Sequence, residues 1–295
     1  SSRNARPTSQ HFFCIKTLVN LHTHTTYCDG TASSADFVKK AKQLQWDYLG
    51  FSAHAPLPFL CDWAIKATDL DKYSSEIRDL ANLNKADIKI LCGFEIDYLL
   101  GLGFPALEYK AVEKSDFLIA SIHFVKNPDT ENPNTQYLEI DGTYSQFLLA
   151  LKWFGFNLKK LLQAFLDATH QMINDTTVGV TKIIGHIDKI ILNAAKTSEF
   201  GALENWFYDE LFQIVQTGSN NYDFIEINTR AIYKKGLSNP YPKLEFISRL
   251  HNAKIPLIIN SDAHHPSELN GSYSALDQLL SNCGMESIVK KHPKF

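Results

Sequence analysis

Residues 18–24 of the chain have the sequence LVNLHTH, an apolar run that ends in two histidines two positions apart. Short apolar runs that are rich in β-branched residues and bounded by turn-forming residues are typical of buried β-strands. Six more segments share this pattern, at 48–54, 88–95, 117–123, 182–186, 223–228 and 257–264. Because most of them are apolar nearly throughout, we expect parallel strands that are covered on both faces.

Amphipathic segments between these runs predict helices. The first begins at the capping-box pattern Ser33-x-x-Asp36. The others are expected at 69–83, at 143–173 with a break near 155–157, and at 199–217, 242–252 and 272–282. Alternating strands and helices indicate βα units around a parallel sheet. Seven units favour a barrel, although an open doubly wound sheet fits the same pattern. The irregular stretch 126–142 follows the fourth strand and is expected on the functional face of such a barrel.

Potential metal ligands stand at the ends of six of the seven predicted strands. The first strand ends in His22 and His24, and the seventh ends in Asp262 and His264. The second to fifth strands end, in order, in His54, Glu95, His123 and His186. Residues two apart on a strand point to the same face, and parallel strands bring their carboxyl ends together. A lone histidine more often packs as a hydrogen-bonded core residue, but this constellation predicts a metal site.

The candidate ligands are imidazoles and carboxylates without thiolate, a set that suits Zn²⁺, Mn²⁺ or Fe²⁺. Asp29 is a further candidate, and we prefer it to the adjacent Cys28 because no other member of the set contains sulfur. Eight or nine ligands exceed the needs of one ion and suffice for two or three.

The composition limits the partners of the chain. It has 29 Lys and Arg against 32 Asp and Glu, a net charge of −3, and so lacks the basic excess that draws proteins to polynucleotides. Its five cysteines form no C-x-x-C pair, and no apolar run reaches the ~20 residues that a membrane helix needs. We therefore expect a cytoplasmic protein with a small anionic substrate and with neither a nucleic-acid nor a membrane partner. Residues 1–17 are expected to lie outside the core, and 18–295 to form a single barrel domain. The sequence leaves the oligomeric state open.

Seven sequence blocks, in family order, resemble the polymerase-and-histidinol-phosphatase (PHP) superfamily, and within it the monofunctional histidinol-phosphate phosphatases. The blocks are NLHTHTTYCDG at 20–30, GFSAHAPLP at 50–58, GFEIDY at 93–98, SIHFV at 121–125, GHIDKI at 185–190, EINTRAIYKKG at 226–236 and NSDAHHP at 260–266. The resemblance implies an α/β fold, a distorted (β/α)7 TIM-like barrel, with three divalent ions. Three positions depart from the family pattern: Ala53, Lys189 and Ala231 stand where Asp, an apolar residue and Gly are usual.

The resemblance also implies roles for individual residues. One ion would be bound by His22, His24, Glu95 and Asp262. Glu95 would bridge to a second ion, bound by His123 and His186, and a third would be bound by Asp29, His54 and His264. The residues expected to take part in catalysis are Glu95, His123, Asp262 and Arg230.

The function that the resemblance implies is hydrolysis of L-histidinol phosphate to L-histidinol and phosphate, a step of histidine biosynthesis. A hydroxide shared by two ions would attack phosphorus in line. We expect Arg230 to contact the phosphate, because a guanidinium can engage two oxygens at once, and Lys234 or Lys235 to add charge. The alternative for Arg230 is a pairing with a carboxylate at the barrel rim. Competing functions are hydrolysis of another small phosphomonoester or a nucleotide, and a catalytically silent metal-binding module.

Overall fold

The computed structural model describes residues 18–129, 136–285 and 288 of the chain. The strands are β1 (Val19–Asn20), β2 (Tyr48–His54), β3 (Lys89–Asp97), β4 (Phe117–Ser121), β5 (Phe124–Lys126), β6 (Tyr137–Glu139), β7 (Thr181–Ile184), β8 (Phe224–Asn228) and β9 (Leu257–Asn260). Seven of them form one sheet in the order β1-β2-β3-β4-β7-β8-β9, and every neighbouring pair in it is parallel. The predicted tail at 1–17 lies outside the described residues.

The sheet curls round until its first and last strands meet. Thr23, shortly after β1, forms a parallel bridge with Ala263, shortly after β9. The backbone N–H of His24 donates to the carbonyl of Ala263 at 2.8 Å, and the N–H of Ala263 donates to the carbonyl of His22 at 3.0 Å. The strand order also follows the chain order, whereas a doubly wound sheet reverses its order at a switch point. The fold is therefore a distorted TIM-like barrel, and the open-sheet alternative is wrong.

Helices flank the strands. They are α1 (Ser34–Gln43), α2 (Leu70–Asn84), α3 (Lys110–Glu113), α4 (Tyr144–Trp153), α5 (Leu158–Asn174), α6 (Ile191–Ala194), α7 (Phe200–Thr217), α8 (Arg230–Tyr233), α9 (Leu244–Asn252) and α10 (Tyr273–Asn282). The predicted capping box is confirmed, because Ser33 and Asp36 exchange side-chain and backbone hydrogen bonds at the start of α1. The predicted break is also confirmed, since positive φ angles at Gly155 and Phe156 separate α4 from α5. Within the described ranges, no helix is long and apolar enough to cross a bilayer.

Alternate strand residues pack into two cores, one against the helices and one inside the barrel. The interior core consists of Val19, Leu21, Leu91, Phe117, Ile119, Ile183 and Ile258. Glycines make room for the ring of Phe117, because a Cβ at Gly93 would lie 2.6 Å from it and one at Gly50 would lie 2.8 Å from it. Apolar side chains thus fill the barrel interior, and the polar side chains at the carboxyl ends of the strands lie directly above this packed core.

Several strands are shorter than the sequence pattern predicts. β1, β4, β7 and β9 stop at Asn20, Ser121, Ile184 and Asn260, before the candidate ligands that were expected to end them. The backbone after β9 gives a physical reason. Asp262 has a φ of 55°, outside the β region, so the ladder cannot continue through it.

The stretch 126–142 is more regular than predicted. β6 pairs antiparallel with β5, with Val125 opposite Leu138, which forms a two-stranded extension beside the barrel. Alternation in so short a strand is too weak a signal to identify it from the sequence. Residues 130–135 within this stretch lie outside the described ranges.

Candidate metal centre

The nine candidate ligands meet at the carboxyl ends of the barrel strands. They form overlapping groups in which the ligand atoms lie within 4.8 Å of one another. The groups are His24 with Asp29, His54 and His264; His22 with Glu95 and His186; His22 with His24 and Asp262; and His54 with Asp97 and His123. Asp97, two residues beyond Glu95 on β3, is the member of these groups that sequence reasoning missed.

Glu95 lies at the middle of the cluster, almost fully buried, with five imidazoles around its carboxylate. Its Oε2 lies 3.0, 3.4 and 3.2 Å from nitrogens of His22, His24 and His54, and its Oε1 lies 3.4 and 2.8 Å from Nε2 of His123 and His186. The two oxygens of one carboxylate therefore face two different groups of imidazoles. A carboxylate in this position is suited to bridge two cations.

A second carboxylate, Asp29, gathers histidines nearer the surface. Its Oδ2 lies 2.9 Å from Nε2 of His264, and its Oδ1 lies 3.5 Å from Nδ1 of His24 and 3.8 Å from Nε2 of His54. About a third of the Asp29 side chain is exposed, so this group is at the open side of the centre. The neighbouring Cys28 thiol lies 3.5 Å from Nδ1 of His24 and is not in the group.

Three buried imidazole nitrogens in the cluster have no hydrogen-bond partner. They are Nε2 of His24, Nδ1 of His54 and Nε2 of His123. A buried polar atom without a partner costs about 1–3 kcal/mol, so native proteins keep few of them. Three such atoms, each 3.2–3.4 Å from an oxygen of Glu95, fit a site for cations, in which each free nitrogen would donate its lone pair to an ion.

The ionisation of the cluster also fits cation binding. Burial raises the pKa of Glu95, but the surrounding imidazoles outweigh it and hold that pKa well below its usual value. Burial lowers the pKa of His123, but Asp97, Asp141 and Glu95 together raise it to about 10. Burial and the charge of His264 lower the pKa of His24 to about 4. In the metal-free chain, protonated imidazoles such as that of His123 thus partly neutralise the ionised carboxylates. Bound cations would take over this role.

Two buried carboxylates contact the Nδ1 atoms of histidines whose Nε2 atoms face Glu95. Glu226 on β8 has its Oε1 2.6 Å from Nδ1 of His22, and Asp97 has its Oδ1 2.9 Å from Nδ1 of His123. Carboxylates that bind the second ring nitrogen fix the tautomer and orientation of metal-binding histidines. Glu226 is the first residue of the sequence block at 226–236, but no role was predicted for it. The i, i+2 spacing of Glu226 and Asn228 was the available signal, because it puts both on the inward face.

A cavity opens over the cluster. Apart from candidate ligands, its lining includes Trp63, Glu139, Asp141, Lys189, Arg230 and Lys235. Arg230 lines the cavity, and one of its terminal nitrogens donates to the Asp262 carbonyl at 2.8 Å and lies 3.4 Å from Glu268. Its contact with phosphate stays a prediction. Lys234 pairs with Glu268 at 2.9 Å and is not among the lining residues, whereas Lys235 is.

A TIM-like barrel with imidazole and carboxylate clusters at the carboxyl ends of its strands defines a metal-binding barrel protein. More narrowly, the chain belongs to the PHP domain family, whose sequence model matches residues 20–230.

Relatives with assigned names cover most of the chain. The probable histidinol-phosphatase of Deinococcus radiodurans is 22% identical over 293 residues, 94% of this chain and 98% of that protein. The histidinol-phosphatase of Bacillus subtilis is 22% identical over 267 residues, 86% of this chain and 96% of its own.

Solved structures share the fold. The putative histidinol phosphatase of Listeria monocytogenes superposes with a TM-score of 0.71 at 22% identity, over 87% of this chain and 98% of that one. The histidinol phosphate phosphatase of Lactococcus lactis, solved with zinc, L-histidinol and phosphate, has a TM-score of 0.63 at 18% identity, over 90% and 94% of the two chains.

Proposed function

We propose that this chain is a metal-dependent phosphomonoesterase that hydrolyses L-histidinol phosphate to L-histidinol and phosphate. The observation that carries the proposal is Glu95, whose two oxygens face separate groups of imidazoles beneath a cavity that also bears Arg230 and Lys235. The names of the relatives from Deinococcus and Bacillus, and the ligands of the Lactococcus structure, support the choice of substrate.

The proposed cofactors are three divalent ions, of zinc, manganese or iron. The residues proposed to hold them are His22, His24, Asp29, His54, Glu95, His123, His186, Asp262 and His264. Bound ions of this kind acidify water and hold the oxygens of a phosphate ester. Zinc in the Lactococcus structure supports this metal class.

Other residues of the chain are proposed to orient the histidines and to bind the phosphate of the substrate. Glu226 and Asp97 hold His22 and His123 in the orientation that leaves each Nε2 turned toward Glu95. Arg230 is proposed to bind the phosphate, fixed by its bond to the Asp262 carbonyl. In place of Lys234, we favour Lys235 as the second cation.

The leaving group also has matching partners. L-histidinol carries an ammonium group and an imidazole ring, and the cavity offers the carboxylate of Glu139 and the indole of Trp63. Glu139 is held by a hydrogen bond from the Gln146 amide at 3.1 Å, and Trp63 packs edge-on against His54. A charged amine beside a carboxylate and a ring beside an indole are favourable contacts.

We also infer that the chain from residue 18 onward acts as one domain and works in the cytoplasm. Five cysteines without a C-x-x-C pair suit a reducing compartment, and the four that the structure describes are unpaired.

A phosphate-release assay tests the function. Metal-loaded protein is presented with L-histidinol phosphate, glycerol phosphate, p-nitrophenyl phosphate and a nucleoside monophosphate. We expect the highest kcat/KM with L-histidinol phosphate, and loss of all activity in Glu95→Gln measured beside it. A higher kcat/KM with another ester would reassign the substrate. No release from any ester by fully loaded protein would leave the silent metal-binding module as the better account.

A further inference from the structure

The ammonium group of Lys189 lies at the wall of the cavity over the candidate ligands. It follows β7 in a turn closed by its N–H, which donates to the His186 carbonyl at 2.9 Å. Its Nζ lies 2.9 Å from Oδ2 of Asp141, and the two side chains are only 16% and 5% exposed. Both residues line the cavity.

Stability is a poor explanation for this pair. Burying two charges costs several kcal/mol per ion, and apolar residues of similar size are often as stable. Moreover, the second oxygen of Asp141, Oδ1, is buried without a hydrogen-bond partner. Ile140, the preceding residue, is fixed by its N–H bond to the His123 carbonyl at 3.0 Å, so Asp141 is held at the cavity wall. The arrangement therefore holds a cation at the cavity wall, beside the candidate ligands.

Two further cations share the same cavity, Arg230 and Lys235. Arg230 has Glu268 as a partial partner at 3.4 Å, whereas Lys235 makes no ion pair with any residue in the described part of the chain. Burial, followed by the charges of Lys189 and Arg230, lowers the pKa of Lys235. The ammonium of Lys235 therefore faces the cavity without an ion-pair partner among the described residues, and a phosphate bound there would supply one.

We propose that Lys189, positioned by Asp141, binds the phosphate of the substrate and completes a three-cation subsite with Arg230 and Lys235. This inference rests on the proposed phosphomonoesterase function, and it assigns a role to a residue that sequence reasoning left without one. An ammonium 2.9 Å from a fixed carboxylate is restrained in position, so little side-chain entropy remains to be lost when phosphate binds.

The test measures binding of inorganic phosphate to the metal-loaded protein by calorimetry, together with metal content and kinetics. Lys189→Met keeps the length of the side chain and removes its charge. We expect phosphate to bind about 10- to 100-fold more weakly, which corresponds to about 1.4–2.8 kcal/mol, with the metal content unchanged. Lys189→Arg should recover part of the affinity. Lys160→Met, on the exposed face of α5, is the matched control and should bind phosphate as the wild type does.

A second variant separates phosphate binding from folding. Lys189→Met alone leaves Asp141 buried without its partner, and this could unfold the protein. Lys189→Met combined with Asp141→Asn removes both charges and should fold, yet it should still bind phosphate weakly. Wild-type affinity for phosphate in either folded variant would overturn the inference. If wild-type protein cleaves no phosphomonoester but binds phosphate in a Lys189-dependent way, the proposed function fails and the subsite stands.

Discussion

Glu226→Gln tests whether the carboxylate that contacts His22 helps that histidine to bind metal. The substitution leaves all nine candidate ligands in place. Glu226 is fully buried, and its carboxylate has four polar partners. Oε1 lies 2.6 Å from Nδ1 of His22 and accepts from the Asn260 amide at 2.9 Å; Oε2 accepts from the backbone N–H of His186 at 2.8 Å and from the Asn228 amide at 3.1 Å. The substitution preserves shape and removes the charge.

The expected magnitude follows from those four contacts. An amide has one acceptor oxygen and one NH₂ group, so whichever way the introduced amide lies, two of the four partners face a donor instead of an acceptor. One orientation turns the NH₂ toward His22 and disturbs its ring, and the other turns it toward the backbone at His186. Loss of such outer contacts typically weakens metal binding about 10- to 100-fold, or about 1.4–2.8 kcal/mol.

The assay is a competition for Zn²⁺ between the protein and a chromogenic chelator, with metal counted after dialysis. Glu245→Gln, the same substitution on the exposed surface of α9, is the matched control and should bind like the wild type. Thermal unfolding of the metal-free variants shows whether the fold survives. If folded Glu226→Gln bound every ion with wild-type affinity, the view that Glu226 orients His22 for metal would be refuted.

Three further predictions concern Lys182, Glu95 and the protons of the cluster. Lys182→Met should lower the free energy of unfolding by about 2–4 kcal/mol in denaturant titrations and leave the bound metal unchanged. The reason is that the Lys182 ammonium donates to three carbonyls at the end of α5. An unchanged unfolding midpoint would contradict this. Glu95→Gln should nearly abolish turnover and lower metal content, and wild-type values of both would exclude a bridging role. Metal binding should release protons near neutral pH, because burial lowers the pKa values of His22 and His123 but neighbouring carboxylates outweigh it and raise both in the metal-free chain. The affinity for metal should therefore fall as the pH is lowered. Calorimetry in buffers of different ionisation enthalpy counts the released protons. A count of zero would show that those imidazoles are already neutral and would contradict the prediction.

The sequence was sufficient to predict the barrel and the gathering of the nine candidate ligands. Two rules made this possible: buried parallel strands are apolar throughout, and their carboxyl ends meet. Residues as distant as His22 and Asp262 could thus be expected to lie close together, and their nitrogen and oxygen atoms are 3.7 Å apart.

Features that depend on the register between strands could not be predicted. Glu226 on β8 contacts His22, which follows β1, with β9 between the two strands. The i, i+2 spacing that places Glu226 on the inward face does not indicate which histidine it meets. The Lys189–Asp141 pair joins two loops, and periodicity is uninformative in both. The ends of β1, β4, β7 and β9 were also placed too late. At β9 the cause is the positive φ of Asp262, a conformation that is rare outside glycine and leaves no sequence signature.

The central claim is that clustered ions at Glu95 drive phosphomonoester hydrolysis. The most direct test is a titration of verified metal-free protein with Zn²⁺, Mn²⁺ or Fe²⁺ while phosphate release from L-histidinol phosphate is followed. We predict no release without metal, a folded protein throughout, because the apolar barrel core does not depend on metal, and activity that rises with occupancy to a plateau at three ions per chain. Full activity in the metal-free protein would contradict the account.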